Sequence, residues 1–331
     1  MRAARLAAPG QLGLVSEPAP QAGEGESLVR VGAVGICGSD LHWFGQGAIG
    51  DAGLSRPLVL GHEFGGTVEG GPWDGRRVAV DPAIACGACA RCQEGNPNLC
   101  PHVRFAGHAE TDGGLREYVA WPSQLLHLVP DSFSDATVAL LEPLGVALHS
   151  LDLGHLRLGG SVAVVGCGPI GLMLAMAVRA GGASSVVAVE PLAHRQAAAL
   201  GAGADHALSP EQARAYQAEV DVSFEVAGTD DAVEVAMRLV RPGGRVVLVG
   251  IPDDDRTSFP AALARRKGLT VALARRMKHA YPRAIDLVAR GVVDLGPLVS
   301  HSFALADAAL AFAHAARREG LKTVVQVGGA S

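Results

Sequence analysis

The sequence predicts an α/β protein, with a β-rich first part joined to a doubly wound parallel sheet. Two patterns and the composition carry that expectation. Through about residue 150, apolar runs are short and are separated by Gly, Pro and Asp turns. From about residue 153 to 290, strand-like runs alternate with helical stretches, which is the mark of βαβ units. Glycine is frequent, at 43 of 331 residues, and aromatics are scarce at 4%, as suits a chain with many tight turns.

The elements follow in order. The N-terminus through Leu14 has basic residues but no apolar core of a signal peptide, so it reads as a first strand. Runs 28–34, 66–68 and 78–80 are further strands of this part. Strand 161–165 then precedes helix 170–180, and strand 186–190 precedes helix 195–200. Runs 220–226, 245–249 and 269–273 complete the parallel set. A last helix, 305–318, and a strand, 322–327, are placed to return to the first sheet. The expected division is a β-rich domain over 1–150, a parallel-sheet domain over 151–292 and a returning segment over 293–331.

Composition excludes several classes. Hydrophobic residues make up 49% and charged residues 18%, enough for a sizeable core. The net charge of −5 offers no footprint for nucleic acid. No run of 18 apolar residues lacks a charge or a Gly or Pro break, which argues against a membrane span. The expectation is a cytoplasmic protein whose partner is a small molecule.

The run to Val165 leads straight into Gly166-Cys167-Gly168-Pro169-Ile170-Gly171. This is G-x-G-x-x-G between a strand and a helix. The first Gly permits the turn, the second admits the pyrophosphate, and the third lets helix and strand pack closely. The helix start, with Pro169 and Ile170, presents free N–H groups to the phosphates. The next strand ends in Glu190, 19 residues beyond Gly171. A carboxylate there suits the ribose hydroxyls and repels a 2′-phosphate, which favours NAD over NADP. Arg195 lies nearby and works against that preference.

Four of the six cysteines form Cys86-x2-Cys89-x2-Cys92-x7-Cys100. Four thiolates on one loop suit a tetrahedral structural zinc, with no open position for catalysis. A disulfide pair or an iron–sulfur cluster is the rival reading.

A second group is dispersed. Cys37 sits in Gly35-Ile36-Cys37-Gly38-Ser39-Asp40-Leu41-His42, His62 and Glu63 in Gly61-His62-Glu63-Phe64-Gly65, and Glu142 in Leu141-Glu142-Pro143-Leu144. A catalytic zinc needs about three protein ligands and one open position. A thiolate, an imidazole and one or two carboxylates would supply that, although spacing alone does not bring them together.

These blocks, the cysteine lobe and the glycine motif stand in the order found in zinc-dependent medium-chain dehydrogenases. The chain resembles that family over nearly its whole length. The resemblance implies a GroES-like catalytic domain paired with a Rossmann domain. It also implies two zinc ions per chain, catalytic ligands Cys37 and His62, and a homo-oligomer, dimer or tetramer. Glu142, where the alcohol dehydrogenase branch has a second cysteine, looks like the polyol (sorbitol) dehydrogenase branch. There Glu63 is a ligand, and the later Glu is a ligand or holds water at the zinc. Whether Glu63 or Glu142 binds directly stays open. Runs 35–43, 57–63 and 221–226 are similar to the L-idonate 5-dehydrogenases within that branch. Arg276 falls where polyol members carry a substrate-contacting arginine, but its neighbour Met277 replaces an aromatic. That departure leaves the substrate open among polyols, sugar acids and threonine-like amino alcohols.

The implied chemistry oxidises a secondary hydroxyl to a ketone. Zinc acts as a Lewis acid and hydride passes to C4 of the nicotinamide. Ser39 and His42 match the family's proton-relay positions, and a histidine suits a relay because it titrates near neutrality. Two readings compete on the same fold: a zinc-free quinone reductase and a non-enzymatic dinucleotide-binding protein. Neither has a use for Cys37, His62, Glu63 and Glu142 together.

Overall fold

A computed structural model describes residues 1–216 and 219–328. The chain forms two compact units. The first comprises Met1–Glu142, Tyr281–Ala289 and Asp294–Ser331, and the second Pro143–Ala280 and Arg290–Val293.

The first unit is built on a seven-stranded sheet. Its strands run in the order Leu126–Leu128, Arg77–Val80, Glu63–Glu69, Glu26–Gly35, Lys322–Gln326, Val299–Ala304, with Tyr118–Pro122 also on Glu26–Gly35. Glu26–Gly35 is the hub, and its second half is buried without interruption. Val31, Val34, Phe64, Val78, Val119, Trp121 and Val325 pack into the core around it. Register does more than build the core. Gly35 pairs with Glu63 on one side and with Val324 on the other. The last strand of the chain does return to this sheet, which brings residues some 290 positions apart in sequence to one place. The N-terminus differs from the single strand expected through Leu14. Pro9 and Gly10 turn the chain, and Arg2–Ala8 and Gln11–Ser16 form a hairpin. The helix Tyr281–Ala289 belongs to this unit. The Tyr281 hydroxyl donates to the Val80 carbonyl at 2.6 Å, and its ring stacks on His127 at 4.5 Å.

The second unit is a six-stranded, all-parallel sheet. The order is His206–Leu208, Ser185–Val189, Ser161–Val165, Val220–Glu225, Val240–Leu248, Thr270–Leu273. In sequence terms this is 3-2-1-4-5-6, the doubly wound dinucleotide-binding order. The central strands are near-continuous Val and Ala because both faces are covered. The strand order reverses between Ser161–Val165 and Val220–Glu225, and such sheets bind ligands at their carboxyl ends at that point.

The stretch Asp135–Gly154 has the length and mean hydropathy of a membrane span. It is 67% buried inside the protein and carries Glu142, as a core helix does.

Candidate metal centre and dinucleotide site

The metal centre forms where the hub strand ends. Cys37 follows Gly35 and caps the helix Gly38–Gln46. His62 immediately precedes the neighbouring strand and Glu63 opens it, and both are buried. One ligand atom from each of Cys37, His62 and Glu63 lies within 4.8 Å of the others. Glu142 is buried but stands outside that group of three.

The surrounding groups fix these side chains. Asp40, 1% exposed, sits one helical turn beyond Cys37. Its Oδ2 accepts the Cys37 N–H at 3.0 Å, and its Oδ1 accepts the Gly61 N–H at 3.2 Å and lies 3.4 Å from His62 Nδ1. An imidazole held at Nδ1 by a carboxylate offers Nε2 to a metal. Burial works against the Asp40 charge, yet His62 and these N–H groups hold its carboxyl below the usual range. Burial likewise opposes a charged His62, but Asp40 and Cys37 raise its affinity for a proton well above normal. Glu63 also suits a metal, because both of its carboxylate oxygens are buried without a hydrogen bond. Its Oε2 is ion-paired with Lys322. Burial, reinforced by the Glu63 charge, pushes the Glu142 carboxyl up to about 8. The donor set of one thiolate, one imidazole and one carboxylate therefore suits zinc with a position left open.

The four cysteines of the lobe converge as well. Their sulfurs lie within 4.8 Å of one another, with Cys89 and Cys92 3.5 Å apart. That separation is far beyond a disulfide bond, and all six cysteines are free. Backbone N–H groups of Cys86 and Cys89 point at the sulfurs of Cys100 and Cys86. N–H groups of Ala88 and Cys89 draw the Cys86 thiol down to about 6, which favours the thiolate a metal needs.

In the second unit, Gly166 adopts φ +98° at the end of its strand, and Pro169 opens the helix Pro169–Ala180 behind the N-cap Gly168. A Cβ on Gly171 would lie 2.0 Å from the Gly166 carbonyl oxygen, so helix and turn meet only because Gly171 has none. Glu190 is 4% exposed. Its Oε2 accepts the Cys167 N–H at 2.8 Å and its Oε1 the Leu192 N–H at 3.1 Å. The carboxylate thus braces the glycine turn and retains lone pairs for a ligand. Arg195 reaches over the loop, with Nη1 3.9 Å from where a Gly168 Cβ would stand. Glu225 closes the other side by accepting the N–H groups of Ala227 and Gly228.

The sequence matches the alcohol dehydrogenase GroES-like domain over residues 23–131 and the zinc-binding dehydrogenase domain over residues 169–290. It is 33% identical to the sorbitol dehydrogenase of Bacillus subtilis, over 92% of this chain and 90% of that one. The chain belongs to the zinc-dependent medium-chain dehydrogenases, in their polyol branch. It is an oxidoreductase. L-idonate 5-dehydrogenase from Escherichia coli superposes with a TM-score of 0.92 at 28% identity, covering 98% of both chains. A zinc-binding dehydrogenase from Sinorhizobium meliloti, solved bound to NADP, gives 0.91 at 31% identity, covering 98% of this chain and 99% of that one.

Within this medium-chain dehydrogenase the remaining expected residues have these places. Ser39 and His42 lie three apart on the helix Gly38–Gln46, so they share a face just beyond Cys37. Arg276 follows the edge strand of the second unit with φ +54°, uncommon for a side chain of its size. Asp40, Lys322 and Glu225 were not foreseen as site residues. Asp40 could have been read from its place three residues after Cys37. Lys322 carries no local signal, because only the return of the last strand puts it there.

Proposed function

We propose that this protein oxidises a secondary hydroxyl of a polyol or sugar acid to a ketone, using zinc and a nicotinamide dinucleotide. The buried grouping of Cys37, His62 and Glu63 carries this reading. It is a three-donor set with an open position, in a chain whose relatives include a sorbitol and an L-idonate dehydrogenase. Cys37, His62 and Glu63 hold the catalytic zinc, and Cys86, Cys89, Cys92 and Cys100 hold the structural one. When bound, zinc supplies Lewis acidity toward a hydroxyl, and the nicotinamide supplies a hydride acceptor at C4.

The chain's own residues do the rest. Asp40 fixes the His62 tautomer. Glu142, outside the trio, orders the substrate hydroxyl or the water it displaces. Ser39 takes the proton, and His42 delivers it to solvent. Arg276 holds a substrate hydroxyl or carboxylate, for which a planar guanidinium is suited. Gly166, Gly168, Pro169, Ile170 and Gly171 receive the pyrophosphate, and Glu190 the ribose. NAD is the preferred cofactor, because a 2′-phosphate meets Glu190. Arg195 moderates that preference, in line with the NADP-bound relative. The protein works in the cytoplasm, where thiolates stay reduced. It assembles as a homo-oligomer through the sheet edge Thr270–Leu273, where Leu273 is 74% exposed.

The test is NADH formation by purified protein with L-idonate, D-sorbitol, xylitol, L-threonine and a simple secondary alcohol, with NADP⁺ and a zinc chelator as controls. Chelator-sensitive turnover of a polyol or sugar acid is expected. Turnover that survives complete zinc removal would overturn the reading.

A further inference from the structure

A buried cation stands at the back of the metal centre, and neither zinc nor dinucleotide binding accounts for it. Lys322 is 2% exposed and opens the strand Lys322–Gln326. Its ammonium is ion-paired with Glu63 Oε2 and donates to the Ile36 carbonyl at 2.9 Å. Ile36 directly precedes Cys37, so one side chain from the end of the chain ties both anionic ligand segments together. Burying a lysine this deeply is costly unless it is paired, and a buried pair is weak evidence for stability in itself. The pair is also built in from a third side. A Cβ on Gly35 would lie 2.1 Å from Glu63 Oε2 and 3.0 Å from Lys322 Cε. The glycine opens the space into which Oε2 turns toward Lys322.

The two carboxylate oxygens of Glu63 are therefore unequal. Both are buried, but only Oε2 is ion-paired with Lys322, against Gly35, while Oε1 has neither ion pair nor hydrogen bond. Charge points the same way. Cys37, Asp40 and Glu63 gather three acidic groups at the site, and Lys322 is a buried cation beside them.

The geometry points to Lys322 as a positioning residue that restricts Glu63 to one donor oxygen and so keeps the zinc site four-coordinate with a position open for substrate. This inference rests on the zinc reading of Cys37, His62 and Glu63. Without the ammonium, Oε2 is free to turn to the metal, and Glu63 grips it with both oxygens. The ion is then held more tightly, and the position meant for substrate is crowded.

The test uses full-length protein in which cobalt(II) replaces zinc at the Cys37 site while the cysteine lobe keeps its zinc. The visible bands of cobalt are strong in four-coordinate sites and weak in five-coordinate ones. Lys322→Met is expected to weaken the bands severalfold and to slow metal release to a chelator by about tenfold, opposite in sign to the roughly 10- to 100-fold loss of affinity usual when a group behind a metal ligand is removed. Lys322→Arg is expected to restore both. If Lys322→Met does not fold, Lys322→Gln carries the same expectation, since it keeps an N–H donor for the Ile36 carbonyl but removes the charge. Bands and release rates unchanged in the folded neutral variant would overturn the role of Lys322. A Cys37→Ser control separates the two levels. If wild-type cobalt bands do not depend on Cys37, the zinc reading falls and the inference with it. If they do depend on Cys37 but not on Lys322, only the inference falls.

Discussion

At the scale of single residues, ligands and supporting groups should differ in weight. Cys37→Ser removes a donor outright and is expected to lower turnover more than about 100-fold, beyond the 10- to 100-fold typical of outer groups. Asp40→Asn leaves the donors in place and is expected to fall within that 10- to 100-fold range, read as kcat/KM and zinc retention. Glu190→Gln keeps an acceptor for the Cys167 N–H but removes the charge that opposes a 2′-phosphate. It is expected to narrow the preference for NAD over NADP by about tenfold, or 1.4 kcal/mol. Asp81 offers a test of pH dependence. Burial pushes its carboxyl from 3.8 up to about 6, while its Oδ1 accepts the Ala83 N–H at 3.0 Å. Between those two values the folded protein keeps a proton that the unfolded chain has released, so stability falls as pH rises and the loss is complete above about 6. Asp81→Asn retains the turn hydrogen bond and removes the titration. Thermal melting should show it more stable than wild type at pH 7.5, by up to about 3 kcal/mol, with no such gain at pH 4.

At the scale of elements, what the sequence disclosed follows from how local each feature is. The turn from Val165 through Gly171 was legible because strand, glycines and helix start are contiguous. The same holds for the lobe from Cys86 to Cys100, whose ligands lie on one loop. The metal trio was legible only through family resemblance, since Cys37 and His62 meet by the pairing of Gly35 with Glu63. Lys322 was not legible, because a strand register near the end of the chain brings it in. The N-terminal hairpin was missed because the Pro9–Gly10 turn interrupts an otherwise strand-like run. Two element-level outcomes follow. Gly171→Ala drives a methyl into the Gly166 carbonyl and is expected to abolish dinucleotide binding while zinc content stays at the wild-type level. Calorimetry of NAD binding beside metal analysis checks this. Cys89→Ser opens the closed thiolate shell and should remove one zinc and lower the melting temperature, since structural zinc contributes folding energy.

At the scale of the whole molecule, oligomer and chemistry make separate demands. Thr270–Leu273 is the edge of an all-parallel sheet and leaves one side of its backbone unpaired. A proline at Val271 is expected to shift the solution mass toward monomer, and light scattering would show it. The central claim is that zinc held by Cys37, His62 and Glu63 is required for oxidation of the hydroxyl. The most direct measurement is zinc per chain and NADH turnover, taken together on wild type and Cys37→Ser. The expected result is two zinc ions in wild type and one in the variant, with turnover lost in step. A Cys37→Ser protein that keeps both zinc ions and wild-type turnover would contradict it.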